Sequence, residues 1–169
     1  MNDKPILIKK DFFTDDRGLF QKPFNYKEYL KKYNIDFIPR ECFFSISRKN
    51  IIRGMHFQKN ESACTKLVFL TSGRCLDVVV NVDINSRNYG EVFFYEMKPG
   101  NIFLLIPKNF AHGFLSLEDN TTMIYLQDEE YNNTNDTGIL WNSIDFDWPI
   151  ENPILSERDR NFKKISDCI

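Results

Sequence analysis

The sequence predicts an all-β fold, a sandwich or barrel of the jelly-roll kind with short helices at its periphery. Many short apolar runs follow a period of two residues and are separated at even spacing by turn residues, which is typical of such folds. Aromatic residues make up 15% of the chain and include 16 Phe, a composition that suits a β-rich core. The length of 169 residues fits one domain, residues 1–169, because no linker-like segment interrupts the pattern.

The two ends of the chain carry the predicted helices. Residues 6–9 are expected to form a strand, and residues 14–18 a turn. Asn25 then provides the N-cap of a helix whose apolar side chains recur at helical spacing. These side chains are Tyr26, Tyr29, Leu30 and Tyr33. Ser156 is expected to cap a second short helix that extends to residue 164.

Beyond residue 39 the apolar pattern predicts a continuous series of strands. Residues 44–47 and 51–58 are expected to be neighbouring strands. Residues 66–71 and 74–83 flank Ser72-Gly73 and are expected to pair as a hairpin. The series continues as a meander through residues 90–97, 101–106, 111–117 and 121–127.

The predicted strand at residues 74–83 has two different faces. Its apolar face consists of Leu76, Val78, Val80 and Val82, and its mixed face consists of Cys75, Asp77, Val79 and Asn81. Because side chains alternate along a strand, we expect Asp77 to point away from the apolar face and into a polar cavity.

Composition excludes several classes of partner. The formal net charge is -2, with charged residues at 27%, so no strong attraction to nucleic acid or to an anionic membrane is expected. No apolar stretch reaches membrane-spanning length, and the N-terminus lacks the basic and apolar run of a signal peptide. Four cysteines without metal-ligand spacing are expected to be free thiols in the cytoplasm.

The two histidines are the first candidates for chemistry. His56 lies in the sequence Arg53-Gly54-Met55-His56-Phe57-Gln58, and His112 lies in Ala111-His112-Gly113-Phe114. Imidazole changes its charge near neutral pH, which suits a proton-transfer site, although a partly buried structural histidine is a common alternative. A metal site formed by the two histidines and Glu61 stays open. Catalytic metals usually have three protein ligands, and this chain has no third histidine and carries Gln58 two positions after His56, so we expect chemistry without a metal or another cofactor.

Acid–base catalysis next to a carbonyl group is the chemistry that these residues suit best, because no nucleophile elbow and no phosphate-binding glycine loop is present. His56 would act as the base, Lys66 would stabilise an oxyanion, and Tyr125 would return a proton. Spacing alone does not bring these three together. Arg17 and Arg53 would hold any phosphate group, or would be solvated cations at strand ends.

Motifs spread over nearly the whole chain carry a family resemblance. They are Asp16-Arg17-Gly18-Leu19-Phe20, Ser45-Ile46-Ser47, the two histidine motifs, Asp77-Val78, Ile106-Pro107, Tyr125, Tyr131, Leu140-Trp141-Asn142, Trp148-Pro149 and Leu155-Ser156-Glu157-Arg158-Asp159. In this order they resemble the dTDP-4-dehydrorhamnose 3,5-epimerase family. The most specific signal is the Arg-Gly-x-His-Phe-Gln sequence with its downstream Ala-His-Gly-Phe.

The resemblance implies a cupin-type jelly roll that works as a metal-free homodimer. The implied reaction inverts C3, C5 or both, next to the C4 ketone of a nucleotide-diphosphate-linked 4-keto sugar, in surface polysaccharide biosynthesis. By resemblance, His56 is the base and Asp159 orients it. Lys66 stabilises the enolate, and Tyr125 delivers a proton to the opposite face of the ring.

The resemblance also implies a set of substrate-binding residues. They are Arg17, Phe20, Lys22, Glu41, Phe43, Arg53, Gln58, His112 and Tyr131. Arg17 would reach the diphosphate from the partner subunit. Asp159 has an alternative role as the acidic member of a capping box begun by Ser156. On a straight strand the side chains of Arg53 and His56 would point to opposite faces of the sheet. We therefore expect either a bulge near Gly54 or a position of Arg53 at the rim of the site.

The chain departs from the family pattern where the nucleotide is expected to bind. Lys22 replaces a usual acidic residue, and Glu41 and Phe43 replace a usual Gln and Asn. Asn81 and Asp83 replace an Asp and an Arg. A carboxylate can accept the thymine imide N–H, whereas a lysine cannot but can donate to a purine acceptor such as guanine O6, so these changes favour guanine over thymine.

Two other functions remain open from the sequence. A 3,4-ketoisomerase of the same fold usually carries His-x-His on the catalytic strand, whereas this chain has His56-Phe57-Gln58. A non-catalytic, sugar-binding cupin would not require an ordered base.

Overall fold

The computed structural model describes residues 4–100 and 102–168, and most of its regular structure is β-strand. The strands are β1 (Ile6–Lys9), β2 (Phe13–Asp15), β3 (Gly18–Phe20), β4 (Glu41–Ser47), β5 (Ile52–Gln58), β6 (Lys66–Ser72), β7 (Cys75–Asn81), β8 (Val92–Met97), β9 (Ile102–Ile106), β10 (Phe110–Ser116), β11 (Thr121–Gln127) and β12 (Asp136–Gly138). The α-helices are α1 (Tyr26–Tyr33) and α2 (Glu157–Arg160), and short 3-10 turns cover Asn60–Ser62, Trp141–Ser143 and Ile165–Cys168. Asn101, which the sequence places at the start of a strand, lies outside the described residues.

The strands form two antiparallel five-stranded sheets and one separate hairpin. The first sheet has the order β1-β9-β6-β11-β4, and the second has the order β12-β5-β10-β7-β8. Strands β2 and β3 pair only with each other among the described strands. The all-β, cupin-type jelly roll expected from the sequence is confirmed.

The predicted pairing of consecutive strands is wrong. β4 lies in the first sheet and β5 in the second, and the chain also changes sheet between β6 and β7, at Ser72-Gly73. Among the described strands from β4 to β12, only β7 and β8 are both consecutive and paired. A period of two residues identifies which face of a strand is apolar, but it does not identify the strand that lies alongside.

The main hydrophobic core fills the space between the sheets. It contains Val68, Leu70, Leu104, Ile106, Met123 and Tyr125 from the first sheet, and Cys75, Val79, Met97, Phe110 and Phe114 from the second. Val78 and Val80 pack on the outer face of the second sheet, against Met55 and Ile139. Asp77 points into the sandwich, as its sequence position predicts, but it is fully buried and is not among the residues that line the cavity described below.

The helices begin where the sequence predicts. The side chain of Asn25 accepts a hydrogen bond from the Glu28 N–H, and α1 ends at Asn34, which has a left-handed φ of 54°. Ser156 caps α2, but this helix ends at Arg160 and is shorter than predicted. Within the described ranges, no helix is long and apolar enough to cross a bilayer.

Candidate active site

A cavity of about 420 Å³ lies between the two sheets, where β5 and β11 end and β4 and β6 begin. Most of the predicted site residues line it, although their positions in the sequence are far apart. They are Glu41, Phe43, Arg53, His56, Gln58, Lys66, His112, Tyr125 and Tyr131. The jelly roll therefore brings the predicted base, oxyanion stabiliser and proton donor to one site.

The two histidines face each other on the paired strands β5 and β10. In the register of this pair, His56 lies directly opposite His112. Gly54 has a φ of +128°, and a Cβ atom at this position would lie 2.5 Å from the Gly113 Cα. Two glycines thus let the strands approach closely, and the register of the pair shifts at this point. This irregularity, which the sequence predicts near Gly54, allows both Arg53 and His56 to line the cavity.

His56 and Asp159 form a hydrogen-bonded pair. His56 Nε2 lies 2.7 Å from Asp159 Oδ1, and the Gly54 N–H donates to Asp159 Oδ2 at 3.1 Å. Burial alone would raise the pKa of Asp159. Hydrogen bonds from His56, Gly54 and Ser156, together with the charge of His56, outweigh burial and hold this pKa below its usual value. An ionised carboxylate therefore holds Nε2 of His56, and Nδ1 is the ring nitrogen left for proton transfer.

The alternative role of Asp159 as the acidic member of a capping box does not apply. Ser156 Oγ accepts the Asp159 N–H at 3.0 Å, so Ser156 is the helix cap. Among the described residues, the Asp159 carboxylate accepts no hydrogen bond from the Ser156 backbone N–H, which a capping box requires, and its two oxygens bond His56 and the Gly54 N–H on β5. α2 thus serves to present this carboxylate to His56.

A second histidine–aspartate pair lies behind the first. His112 Nε2 is 2.8 Å from Asp77 Oδ2, and both side chains are buried. Burial raises the pKa of Asp77, although His112 acts in the opposite direction. Asp77 Oδ1 has no hydrogen-bond partner within the described part of the chain. Asp77 therefore orients His112 from the interior side of the cavity.

Tyr125 of β11 reaches the cavity from the opposite sheet. Its hydroxyl oxygen lies 3.4 Å from Ser45 Oγ, and its ring stacks on Phe43 with centroids 4.6 Å apart. The edge of His112 contacts the same ring at a centroid distance of 6.0 Å. Burial raises the pKa of Tyr125 far above its usual value, and the hydrogen bond with Ser45 offsets this only in part. The phenol is therefore protonated at neutral pH and can donate a proton.

Three cationic side chains line the cavity. Lys66 is the first residue of β6 and is half-buried. Arg53 lies at the rim, where its Nε donates to Ser47 Oγ at 2.9 Å. Arg158 is paired with Asp136 at 2.6 Å. These cations give the cavity the charge that a phosphorylated ligand requires.

The polar side-chain atoms of Gln58 and Glu41 form hydrogen bonds with backbone groups of the protein. Gln58 donates to the Glu130 carbonyl at 3.2 Å and accepts from the Asn132 N–H at 2.6 Å. Glu41 accepts from the Tyr131 N–H at 2.7 Å. Both side chains thereby fix the segment that carries Tyr131, whose ring is 55% exposed at the cavity.

The remaining predicted binding residues lie outside the cavity of their own chain. Arg17 is at the turn of the β2–β3 hairpin, is 90% exposed and pairs with Asp15. Phe20 ends the same hairpin and is 59% exposed, and the exposed Lys22 follows it. A single chain therefore does not bring these three residues to the predicted base.

A sequence model described as dTDP-4-dehydrorhamnose 3,5-epimerase matches residues 3–167, almost the whole chain. The chain belongs to this family. The dTDP-4-dehydrorhamnose 3,5-epimerase of Escherichia coli (strain K12) is 36% identical over 170 residues, which cover 97% of this chain and 91% of that protein. The enzyme of the same name from Shigella flexneri is 33% identical over 168 residues, covering 96% of this chain and 92% of that enzyme.

Solved structures of the dTDP-4-dehydrorhamnose 3,5-epimerase family share the fold. The Bacillus anthracis str. Ames enzyme, crystallised with TDP and PPi, superposes with a TM-score of 0.88 at 36% identity, covering 94% of this chain and 92% of that one. A Legionella pneumophila Philadelphia 1 epimerase in complex with dTDP-4-keto-L-rhamnose gives 0.91 at 27% identity, covering 98% and 89%. The family, the fold and the isomerase class predicted from the sequence are confirmed.

In or directly behind the site of this family member lie further residues that were not among those predicted for catalysis or binding. They are Ser45, Asp77, Asp136 and Arg158. Three of them lie in the family motifs Ser45-Ile46-Ser47, Asp77-Val78 and Leu155–Asp159. Their position in these motifs is the signal that could have identified them. Asp136 lies in a polar stretch that resembles an ordinary loop, so no signal in the sequence identified it.

The metal site that the sequence left open is not assembled. Residues 4–100 and 102–168 contain no group of three or more His, Cys, Asp and Glu side chains arranged to hold a metal ion. His56 and His112 each bond a carboxylate, and Glu61 accepts from Asn135 Nδ2 at 2.9 Å. In this family member, the donor set therefore suits proton transfer better than metal binding.

Proposed function

We propose that the protein is an epimerase that inverts C3, C5 or both of a nucleotide-diphosphate-linked 4-keto-deoxy sugar, in the biosynthesis of surface polysaccharide. The single observation that carries this proposal is the His56–Asp159 pair, which shares one cavity with Tyr125 and Lys66. A base on one sheet and a proton donor on the other are what an inversion requires. The names and bound ligands of the relatives support the same reaction.

His56 begins the reaction by removing the proton from the carbon next to the C4 ketone. The electron pair of the broken C–H bond moves to the ketone oxygen and forms an enolate. Asp159 stabilises the imidazolium that results, and Lys66 stabilises the negative oxygen. Tyr125 then donates its phenolic proton to the opposite face of the same carbon, which inverts that centre. Solvent returns both groups to their starting protonation states.

The cavity mouth holds the nucleotide diphosphate. Arg53 and Arg158 supply charge for the phosphates, since guanidinium groups bind phosphate oxygens well. The exposed ring of Tyr131 offers a stacking surface for the base.

A homodimer would complete this site. β4 is an edge strand whose outward side chains Phe44 and Ile46 are 65% and 57% exposed, and Phe13 and Phe20 of the β2–β3 hairpin are 73% and 59% exposed. Apolar surface of this kind on a sheet edge favours association with a second copy. The hairpin would then bring Arg17, and with it Phe20 and Lys22, to the cavity of the partner subunit.

Mixing two inactive variants tests the contribution of Arg17 across the interface. Arg17→Ala and His56→Ala homodimers are each expected to have little activity. After subunit exchange, half of the dimers are mixed and carry one intact site each, so activity should return to about a quarter of the wild-type value. If Arg17 acts within its own chain, the mixture will show only the average of the two variants.

Solvent deuterium exchange tests the proposed activity directly. The protein is incubated in D₂O with dTDP-, GDP- and UDP-4-keto sugars, and deuterium at C3 and C5 is read together with the configuration of each carbon. An epimerase incorporates deuterium and inverts at least one carbon of a preferred substrate. Failure to exchange with every substrate would leave only a sugar-binding role, and movement of the ketone to C3 would indicate a ketoisomerase.

The same panel tests the nucleotide preference. We expect GDP to bind more tightly than dTDP, because Lys22 can donate to guanine O6 whereas the thymine imide N–H needs an acceptor. Lys22→Glu should reverse this preference by roughly tenfold, in the range of one good hydrogen bond to a charged group. Preference for dTDP in the wild type, unchanged in Lys22→Glu, would show that Lys22 is an ordinary solvated lysine.

A further inference from the structure

Phe43 covers one face of the ring of Tyr125. The two residues are direct partners in the register of β4 and β11. Their rings are nearly parallel, with an interplanar angle of 11° and centroids 4.6 Å apart. Both rings line the cavity. This is the geometry of an offset stack, in which each ring limits the rotation of the other.

The two rings differ in their access to solvent. Phe43 is 39% exposed, whereas Tyr125 is only 8% exposed. Because the two rings are stacked, Phe43 shields the face of the Tyr125 ring that it covers from solvent.

The other contacts of Tyr125 hold it less firmly. The distance between its hydroxyl oxygen and Ser45 Oγ is 3.4 Å, which is long for a hydrogen bond between two hydroxyl groups. His112 meets the ring in a T-shaped arrangement, with centroids 6.0 Å apart and an interplanar angle of 66°. Core residues pack around Tyr125 within the sandwich, and at the cavity Phe43 is the neighbour that stacks on a face of the ring. Phe43 therefore limits how the phenol tilts into the cavity.

We propose that Phe43 is a positioning residue that makes Tyr125 the proton donor to the inverted carbon, by fixing the phenol and keeping water away from it. The inference rests on the proposed function, since it takes Tyr125 as the donor. The enolate either becomes the inverted product or returns to the original substrate. The inference adds that Phe43, which transfers no proton itself, sets the ratio of these two outcomes.

The enolate has two possible proton sources. Protonation by Tyr125 forms a C–H bond on the face opposite His56 and leaves a tyrosinate, which gives the inverted product. Protonation by the His56 imidazolium re-forms the C–H bond on the original face and leaves neutral imidazole. In D₂O the imidazolium exchanges its proton first, so this return gives deuterated but uninverted substrate. The ratio of deuterium exchange without inversion to inversion therefore reports how well Tyr125 is placed.

The test measures this ratio at each reacting carbon for wild type, Phe43→Leu and Phe43→Tyr. We expect Phe43→Leu to raise the ratio by about threefold to tenfold, since small misplacements of a reacting group have effects of at least this size. Phe43→Tyr keeps an aromatic ring and should restore nearly the wild-type ratio. Because exchange and inversion occur on the same folded molecules, the ratio does not depend on how much of a variant folds.

Phe94→Leu is the matched control. Phe94 lies on β8 in the second sheet, is 60% exposed and packs against Phe146, and neither residue lines the cavity. In Phe94→Leu, the ratio of deuterium exchange without inversion to inversion should equal that of the wild type. Exchange and inversion that fall together in Phe43→Leu, at an unchanged ratio, would overturn the inference and leave the proposed function intact. A wild type that exchanges no proton on any 4-keto nucleotide sugar would overturn both.

Discussion

Replacing His56 with alanine is expected to lower exchange and inversion at every reacting carbon by about a hundredfold to ten-thousandfold, the range of a general base. His112 is also paired with a carboxylate, but it is buried, with only 4% of its surface exposed, and is therefore much less accessible to a ligand than His56. His56 is also one-third exposed, so its removal leaves the core intact. The rates and the thermal unfolding temperature are measured on the same preparation.

Added imidazole provides a control for the loss in His56→Ala. A small base that enters the vacated space should restore part of the exchange, without requiring any change in stability. A folded His56→Ala variant that exchanges at nearly the wild-type rate would remove His56 from the mechanism. In that case the proton would have to be taken by another group in the cavity.

Asp159→Asn is expected to lower kcat by about a hundredfold to ten-thousandfold with little change in KM, as found when the carboxylate of a histidine–aspartate pair is replaced by an amide. The pKa of Asp159 lies below its usual value, so the carboxylate is ionised at neutral pH and stabilises the imidazolium. Asparagine retains the shape but loses the charge, and its amide N–H₂ can hold His56 in the wrong tautomer.

Glu157→Gln is the matched control for Asp159→Asn. It makes the same chemical change two residues away in α2, on an exposed side chain. Its kcat should equal that of the wild type. Equal losses in the two variants would mean that the charge of α2 matters in general and that Asp159 has no special relation to His56.

Local features of the fold could be predicted from the sequence. The caps Asn25 and Ser156 and the inward parity of Asp77 depend on residues within a few positions of each other, and the structure agrees with each. Strand pairing could not be predicted this way. β4 to β7 alternate between two sheets with similar apolar faces, so their patterns are compatible with either sheet.

The candidate site also combines features that could be predicted from the sequence with features that could not. Its residues were identified by their motifs, and the family resemblance also implied the contact between His56 and Asp159, but the spacing of the residues did not place any of them together. Asp159 bonds His56 across 103 positions of the chain, and the pairing of Phe43 with Tyr125 depends on the register of β4 and β11. Residue type and spacing contain no information on such distances. Only the assembled sheets determine them.

The close approach of Gly54 and Gly113 has a consequence for how the protein can be changed. A Cβ atom on Gly113 would lie 2.8 Å from the Arg53 carbonyl oxygen, and one on Gly54 would lie 2.8 Å from the His112 carbonyl oxygen. The two histidine motifs are therefore interlocked, and neither strand accepts a bulkier residue there without moving the other. The hairpin that carries Arg17 lies apart from this contact. Directed evolution can thus change ligand choice through residues 17–22, while the close contact that holds His56 and His112 in place stays the same.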